Sequence, residues 1–395
     1  MSGFWTEWLG LLIRWIHVIT GVAWIGTSFY FNWLEGRLDR SGDKPEGVAG
    51  DLWSVHGGGF YHLQKYEVSP PRLPSDLHWF KWEAYSTWLS GFALLLVVYY
   101  LNPGARLLGS NELGLPAWTG VVAGLGMLLG SWLVYHGLGR AGLDEKPTLF
   151  AALGIILLSL LAWGSSLVFD GRAAYIHIGA VIGTLMAANV FFVIIPAQKG
   201  MVRAMTRGER VDPAPGRTAL RRSTHNNYLT LPVLFIMVSN HYPATFAHQW
   251  NWVILALLAV GSAAIRHYFN LRNRGQAKIW ILPVGTLVII AGALLSRPTD
   301  TPETAVAAGP TPTWRMMQIV ERHCVNCHQA QPSDPAFAAP PQGLLLDTPQ
   351  RVRAAADLVH ARAVATESMP LGNPTGMTAG ERAELGNWLE QKPQR

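Results

Sequence analysis

The chain has 395 residues, half of them apolar, with only 14% charged, 17 tryptophans and a formal net charge of +6. Soluble domains carry about 25% charged residues, so this composition excludes a water-soluble globular protein and implies a lipid-embedded one. The basic residues are divided among particular loops instead of forming one basic face, which excludes a nucleic-acid partner as well.

Apolar stretches long enough to cross a bilayer, about 20 residues, fall at 8–33, 84–101, 116–138, 149–168, 174–195, 228–246, 249–266 and 279–296. They predict an all-α bundle of eight transmembrane helices over residues 1–296. The first run has no basic leader and is too long for a cleavable signal peptide. Within it Arg14, His17, Gly21, Trp24 and Ser28 recur at helical spacing, and this face is expected to look into the bundle. Ionisable groups inside a span are costly and are functional candidates by default. The structural alternative is that Arg14 and His17 hydrogen-bond neighbouring helices as glue.

The loop 34–83 closes on an aromatic run holding His78, Trp79, Lys81, Trp82 and Glu83. It reads equally as an interfacial belt with a snorkelling Lys or as part of a substrate site. His136 ends the third span, His177 lies in the fifth, and the sixth carries His225 at one end and His241 at the other. The sixth is the weakest stretch, interrupted by Pro232 and by Ser239-Asn240-His241. By depth, His17, His177 and His241 fall in the middle or outer half, where two of them could serve as axial ligands of a b-type haem.

Loops 34–83, 139–148, 196–228 and 267–278 carry 6, 2, 7 and 3 Lys/Arg, together 18; loops 102–115, 169–173 and 247–248 carry 1, 1 and 0, together 2. The first set is cytoplasmic by the positive-inside rule, so with eight spans both termini lie outside. Residues 297–313, rich in Pro, Thr and Ala, read as a semi-extended linker. Residues 314–395 then form a small helical domain, a class I-like cytochrome c by the motif it carries. Thr348-Pro349 opens one helix, with Val352, Ala355, Ala356 and Val359 on one face. Thr378 and Glu381 form a capping box for another, which turns Leu385, Trp388 and Leu389 inward.

Both cysteines of the chain stand in Cys324-Val-Asn-Cys327-His328. This spacing matches covalent attachment of haem c, with His328 as the iron's first ligand. Met369, in a loop before the last helix, is the candidate for the opposite ligand, and Met377 is the reserve. A disulfide, a thioredoxin-like pair and a zinc site recruiting His323 or His360 are the competing readings. The helical context and the external side assigned by the loop charges favour haem.

The stretches "RWIHVITGVAWIGTSFYF" (14–31), "LHWFKWEAYSTW" (77–88) and "HNNYLTLPVLFIMVSNHYP" (225–243), together with "CVNCH", resemble the bacterial membrane-bound cytochrome c urate oxidase (urate hydroxylase) family. The first span also resembles, more faintly, the His-bearing helix of a haem-binding membrane protoporphyrinogen oxidase. The urate oxidase resemblance implies conversion of urate to 5-hydroxyisourate in purine breakdown, with oxygen from water and no hydrogen peroxide. Electrons would pass to the chain's own haem c and on to a periplasmic or membrane acceptor, a cytochrome c or a terminal oxidase. It also implies residence in the bacterial inner membrane with both termini periplasmic. Urate is a flat anion, so its site needs a cation, amide donors and an aromatic floor. Arg14, Asn226 and Asn227 are the candidate donors, Trp24 or Trp82 the stacking surface, and His17 or Glu83 the base. The competing function is a non-catalytic electron-transfer subunit for a partner dehydrogenase. A terminal oxidase is disfavoured because the chain has no His-His pair.

Overall fold

In the computed structural model, residues 3–101, 107–108, 116–297, 311–334, 337, 339–371, 373 and 375–391 are described. The described residues up to 297 fold mainly as helices, because an apolar chain in lipid must satisfy its backbone internally. The helices are α1 (Gly3–Arg37), α2 (Trp82–Leu95), α3 (Ala117–Arg140), α4 (Pro147–Val168), α5 (Gly171–Thr206), α6 (Pro213–Ser239), α7 (Asn251–Asn273) and α8 (Ile281–Leu295). Each of the eight predicted stretches overlaps one of them. Five, namely α1, α3, α4, α5 and α7, are long and apolar enough to cross a membrane by length and composition; α8 is apolar but has 15 residues. Wide π-type turns extend α2 over Leu96–Tyr100 and interrupt α5 at Val190–Ile194.

Helix α5 is the axis of the bundle. From Ala173 to Val190 most of its side chains are buried, against α2, α3, α4 and α6. By contrast α1 lies on the outside, resting mainly on α2, with Trp15, Ile16, Val18, Ile19 and Val22 exposed.

Two expectations need correction. The sixth helix was expected over 228–246 but runs from Pro213 to Ser239. Its start is set by Asp212, whose carboxylate accepts from the Ala214 N–H at 2.9 Å, followed by Pro at the first helical position. Hydropathy missed this half because Arg222, Asn226 and Asn227 are polar yet interior. After Ser239 the chain makes a separate single turn, Pro243–Phe246.

The membrane part is also not purely helical. Within the loop 34–83, β1 (Val48–His56) and β2 (Gly59–Tyr66) form an antiparallel hairpin. Its two-residue turn is Gly57-Gly58, with φ of +59° and +80°, the conformation that a primed hairpin turn demands and glycine supplies without strain. Trp53 stacks on its cross-strand partner His62 at 4.3 Å, and Asp51 ties Lys44 (2.5 Å) to His62 (2.7 Å).

Of the linker, residues 298–310 lie outside the described part, as do residues 392–395 of the tail. The tail has its own core, formed by Met316, Ile319, Val320, Val352, Leu385 and Trp388. It is assembled from α9 (Thr313–His323), α10 (Pro349–Ala354) and α11 (Ala379–Glu390). The helix opened by Pro349 breaks at Ala355 (φ −106°, ψ 18°) and resumes over Ala356–Val359; Val352 and Val359 are buried all the same. The capping box forms as expected: Glu381 Oε2 accepts from the Thr378 N–H at 2.9 Å, and Thr378 Oγ1 from the Glu381 N–H at 3.2 Å.

The Thr378 N–H, with help from His323, holds the Glu381 carboxyl below its ordinary 4.5. A depressed folded-state value stabilises above the unfolded one and is lost as pH falls through the folded one. Glu381→Gln should therefore cost the tail about 1 kcal/mol at pH 7. In thermal melts, that gap between wild type and variant should close below pH 4.5.

Candidate functional site

Helix α9 ends at Cys324, and the chain winds on tightly: the N–H groups of Cys327 and His328 both donate to the Cys324 carbonyl, at 3.2 and 3.0 Å. The two thiols are not bridged. Burial pushes the Cys324 thiol up to about 12, the opposite of the depressed value that makes a thioredoxin-like cysteine nucleophilic. His328 Nδ1 donates to the Leu344 carbonyl at 3.1 Å, and Nε2 has no hydrogen-bond partner among the described residues. Burial also holds His328 below its usual value, so the ring is neutral near pH 7. A neutral imidazole oriented through its other nitrogen is the form that ligates a metal.

Met369 packs against the same core as Cys324 and Leu344. Its N–H donates to the Arg362 carbonyl (2.9 Å), and Arg382 Nη1 donates to its carbonyl (2.7 Å) and to that of Ala363. Arg382, buried and placed to pin this loop, was missed from sequence. Met377 is buried in the core and its backbone is clasped by Asn373 (2.7 and 3.0 Å). The histidines that a zinc site would recruit are engaged elsewhere. His323 bonds Thr375 Oγ1 at 2.7 Å and faces Glu381 at 3.4 Å, and His360 lies 3.8 Å from Glu390. Two unbridged thiols, an imidazole whose Nε2 has no hydrogen-bond partner among the described residues, and a thioether packed on the same core fit a covalently bound haem.

The first-span candidates are brought together only in part. His17 Nδ1 lies 3.0 Å from the Thr87 carbonyl and 3.1 Å from Ser90 Oγ. Its ring rests on Gly91, where an added Cβ would stand 2.9 Å from Cε1. Thr87 also donates to the Glu83 carbonyl at 2.6 Å, so His17 and Glu83 bracket one residue of α2. Glu83 Oε2 is buried without a hydrogen-bond partner among the described residues. Trp24 packs with Trp79 and Tyr85 around Ala84, Val190 and Ile195. Arg14, however, is exposed: α1 is peripheral, so the Arg14 end of its polar face is left uncovered. Trp82 is also exposed, with Lys81 Nζ 5.8 Å from its ring, as an interfacial belt requires.

Of the three histidines weighed as ligands of a b-type haem, two are placed as follows. His177 is fully buried; Nε2 meets Tyr100 OH at 2.9 Å, Nδ1 donates to the Ala173 carbonyl at 2.7 Å, and Phe169 stacks on the ring at 4.4 Å. Both of its ring nitrogens are engaged. His241 is exposed just past the end of α6.

The bundle also holds a buried polar network that sequence reading found only in Asn226, Asn227 and His225. Asn189 Nδ2 donates to Tyr135 OH and to Asn226 Oδ1, both at 2.9 Å, and Tyr135 OH bonds His225 Nδ1 at 2.8 Å. Arg222 lies over the Tyr135 ring at 4.6 Å and pairs with Asp144 at 3.5 Å. Asn227 Oδ1 accepts from Arg266 (2.8 Å) and Asn270 (3.0 Å). Arg222, Asn226 and Thr230 recur every four residues along α6 and are all buried, a spacing that could have revealed the interior face. Tyr135, Asn189 and Asp144 gave no such signal. The network sits at the basic end of the bundle, beside the loop 139–148.

At the opposite end, the bundle and the tail enclose a cleft of about 520 Å³. One wall comes from residues 163–172 and 240–252, including Trp163, Arg172, Asn240, His248 and Trp250; the other comes from the Met369 loop. This is the end where the loops carry few Lys/Arg.

A family model described as "Urate oxidase N-terminal" matches residues 3–296, the helical bundle without the tail. No curated protein and no solved structure matches the chain.

Proposed function

We propose that this chain, which belongs to the urate oxidase N-terminal family, is an integral-membrane enzyme that oxidises urate to 5-hydroxyisourate. The urate monoanion and one water yield 5-hydroxyisourate, one proton and two electrons, so the chemistry needs an electron acceptor but not oxygen itself. A haem bonded to Cys324 and Cys327, with His328 and Met369 on its iron, would take those electrons singly. The protein's own part is to orient His328 through Leu344, to hold the Met369 loop with Arg382, and to bring the tail against the bundle. From the tail the electrons go to a respiratory acceptor, a cytochrome c or terminal oxidase. The loop charges support placing the tail on the outer face of the bacterial inner membrane, where haem c is attached.

The observation that carries this reading is the union in one chain of a bundle matched over residues 3–296 with a tail whose Cys-x-x-Cys-His fits haem. The test uses the purified single chain, oxidised, under argon. Urate should reduce the haem in the absorption spectrum, two haems per 5-hydroxyisourate formed, without hydrogen peroxide. A spectrum unchanged by urate in protein that dithionite reduces would overturn the reading, and would favour an electron-transfer subunit.

A further inference from the structure

We propose that urate binds and is oxidised in the cleft between the bundle and the Met369 loop, held by Arg172 and His248. This rests on the reading above and adds to it the place where substrate meets protein. The cleft volume of about 520 Å³ lies inside the range of small-molecule sites, about 300–1,000 Å³. Its bundle wall offers what a flat anion requires. Arg172 is fixed by its Nε donating to Asn240 Oδ1 at 3.2 Å. His248 Nδ1 accepts from the Trp250 N–H at 3.1 Å, so the neutral ring carries its proton on Nε2. That Nε2 is buried and has no hydrogen-bond partner among the described residues, which makes it a donor in need of an acceptor. Trp163 and Trp250 supply flat apolar surface beside it.

Two carboxylates also line the cleft, and each has another task. Asp170 caps α5, accepting from the Arg172 N–H at 3.2 Å, and Glu367 pairs with Arg382 at 3.6 Å. Arg172 and, on the tail side, Arg362 are the cations left to face an anion.

Distance decides between this cleft and the Arg222 network. Single-electron transfer weakens steeply with separation, so the substrate must lie beside its acceptor, and Met369 forms part of the cleft wall. The Arg222 network lies at the far end of a bundle whose helix α3 alone, at 24 residues, is about 36 Å long. The cleft also accounts for the fusion of bundle and tail in one chain, since each contributes one wall. In the cleft the urate anion gives up two electrons toward the tail, water forms the new C–O bond, and the released proton leaves to solvent.

The experiment measures equilibrium binding of urate to the full-length holoprotein kept reduced with dithionite, where no turnover occurs, alongside steady-state kinetics. Arg172→Gln and His248→Ala should each raise Kd and KM about tenfold or more, the effect of removing a charge-assisted or buried hydrogen-bond partner. Reduction of the haem by ascorbate should be unchanged. Ser166→Trp, at a half-buried position lining the cleft, should have the same effect by narrowing it. Wild-type affinity in all three variants would overturn the cleft assignment while leaving urate oxidation standing. Failure of urate to reduce the wild-type haem would instead defeat the functional reading itself.

Discussion

On the proposed function, replacing Cys324 and Cys327 together by serine should abolish urate turnover while the bundle remains inserted and folded. Those two residues are the only cysteines in the chain. Without them no thioether bond can hold a haem beside His328, and the imidazole that Leu344 orients has nothing to ligate. Two electrons must leave urate, and without an acceptor neither can. Activity should therefore drop to background, not merely decline, and haem stain on denaturing gels should vanish with it. Serine also replaces Cys324 in the tail core, so tail folding needs a separate control. Met369→Leu keeps the covalent bonds and the apolar volume but removes the sulfur ligand. It should retain haem stain while losing the potential that a Met ligand raises, and with it most of the turnover. Undiminished urate oxidation by the inserted, haem-free serine variant would sink the assignment.

The parts of this fold that hydropathy can report were plain in the sequence, and the parts built from polar interiors were not. Eight apolar stretches gave eight helices, because lipid leaves a backbone few other ways to satisfy its hydrogen bonds. The tail was legible for a different reason. Its signals are local, with Cys324, Cys327 and His328 within five residues and Thr378 capping through Glu381 three residues on. Helix α6 shows the limit. Its first half reads as a charged loop, yet Arg222 and Asn226 are interior, facing Asp144 and Asn189 from other elements. Periodicity placed Arg14 and His17 on one face of α1 but could not say what covers that face. His17 found Thr87 and Ser90, whereas Arg14 was left exposed. The cleft was beyond sequence reasoning altogether, since its walls join residues near 170, 248 and 369. The hairpin could have been found: Gly57-Gly58 between runs of β-forming residues is a turn signal, obscured by the aromatics around it.

Gly139→Ala should be among the most destabilising single substitutions in the bundle. An alanine Cβ built there would stand 1.6 Å from Arg222 Nη2, 2.6 Å from Cζ and 3.0 Å from Nη1. No rotamer adjustment of a few tenths of an ångström relieves such an overlap, so the guanidinium must leave its place. Arg222 is 2% exposed and Asp144 4%, so the displaced charge loses its partner at 3.5 Å and its seat over Tyr135 at 4.6 Å. Asp144 keeps only the more distant Arg221, at 3.7 Å. Breaking a buried pair by removing one member costs about 3–5 kcal/mol, well above the effect of a Gly-to-Ala change as such. Gly137, two residues earlier on the same helix, has nothing within 4 Å of an added Cβ. Gly137→Ala is the matched control and should stay within about 0.5 kcal/mol of wild type. Unfolding in a detergent titration, followed by helical circular dichroism, reads both. In an Arg222→Ala background the clash disappears, so the cost of Gly139→Ala should shrink by more than half, the non-additivity expected of residues in contact. Equal stability of the Gly139→Ala and Gly137→Ala proteins would show that Arg222 does not occupy the space against α3, and the buried network would have to be redrawn without it.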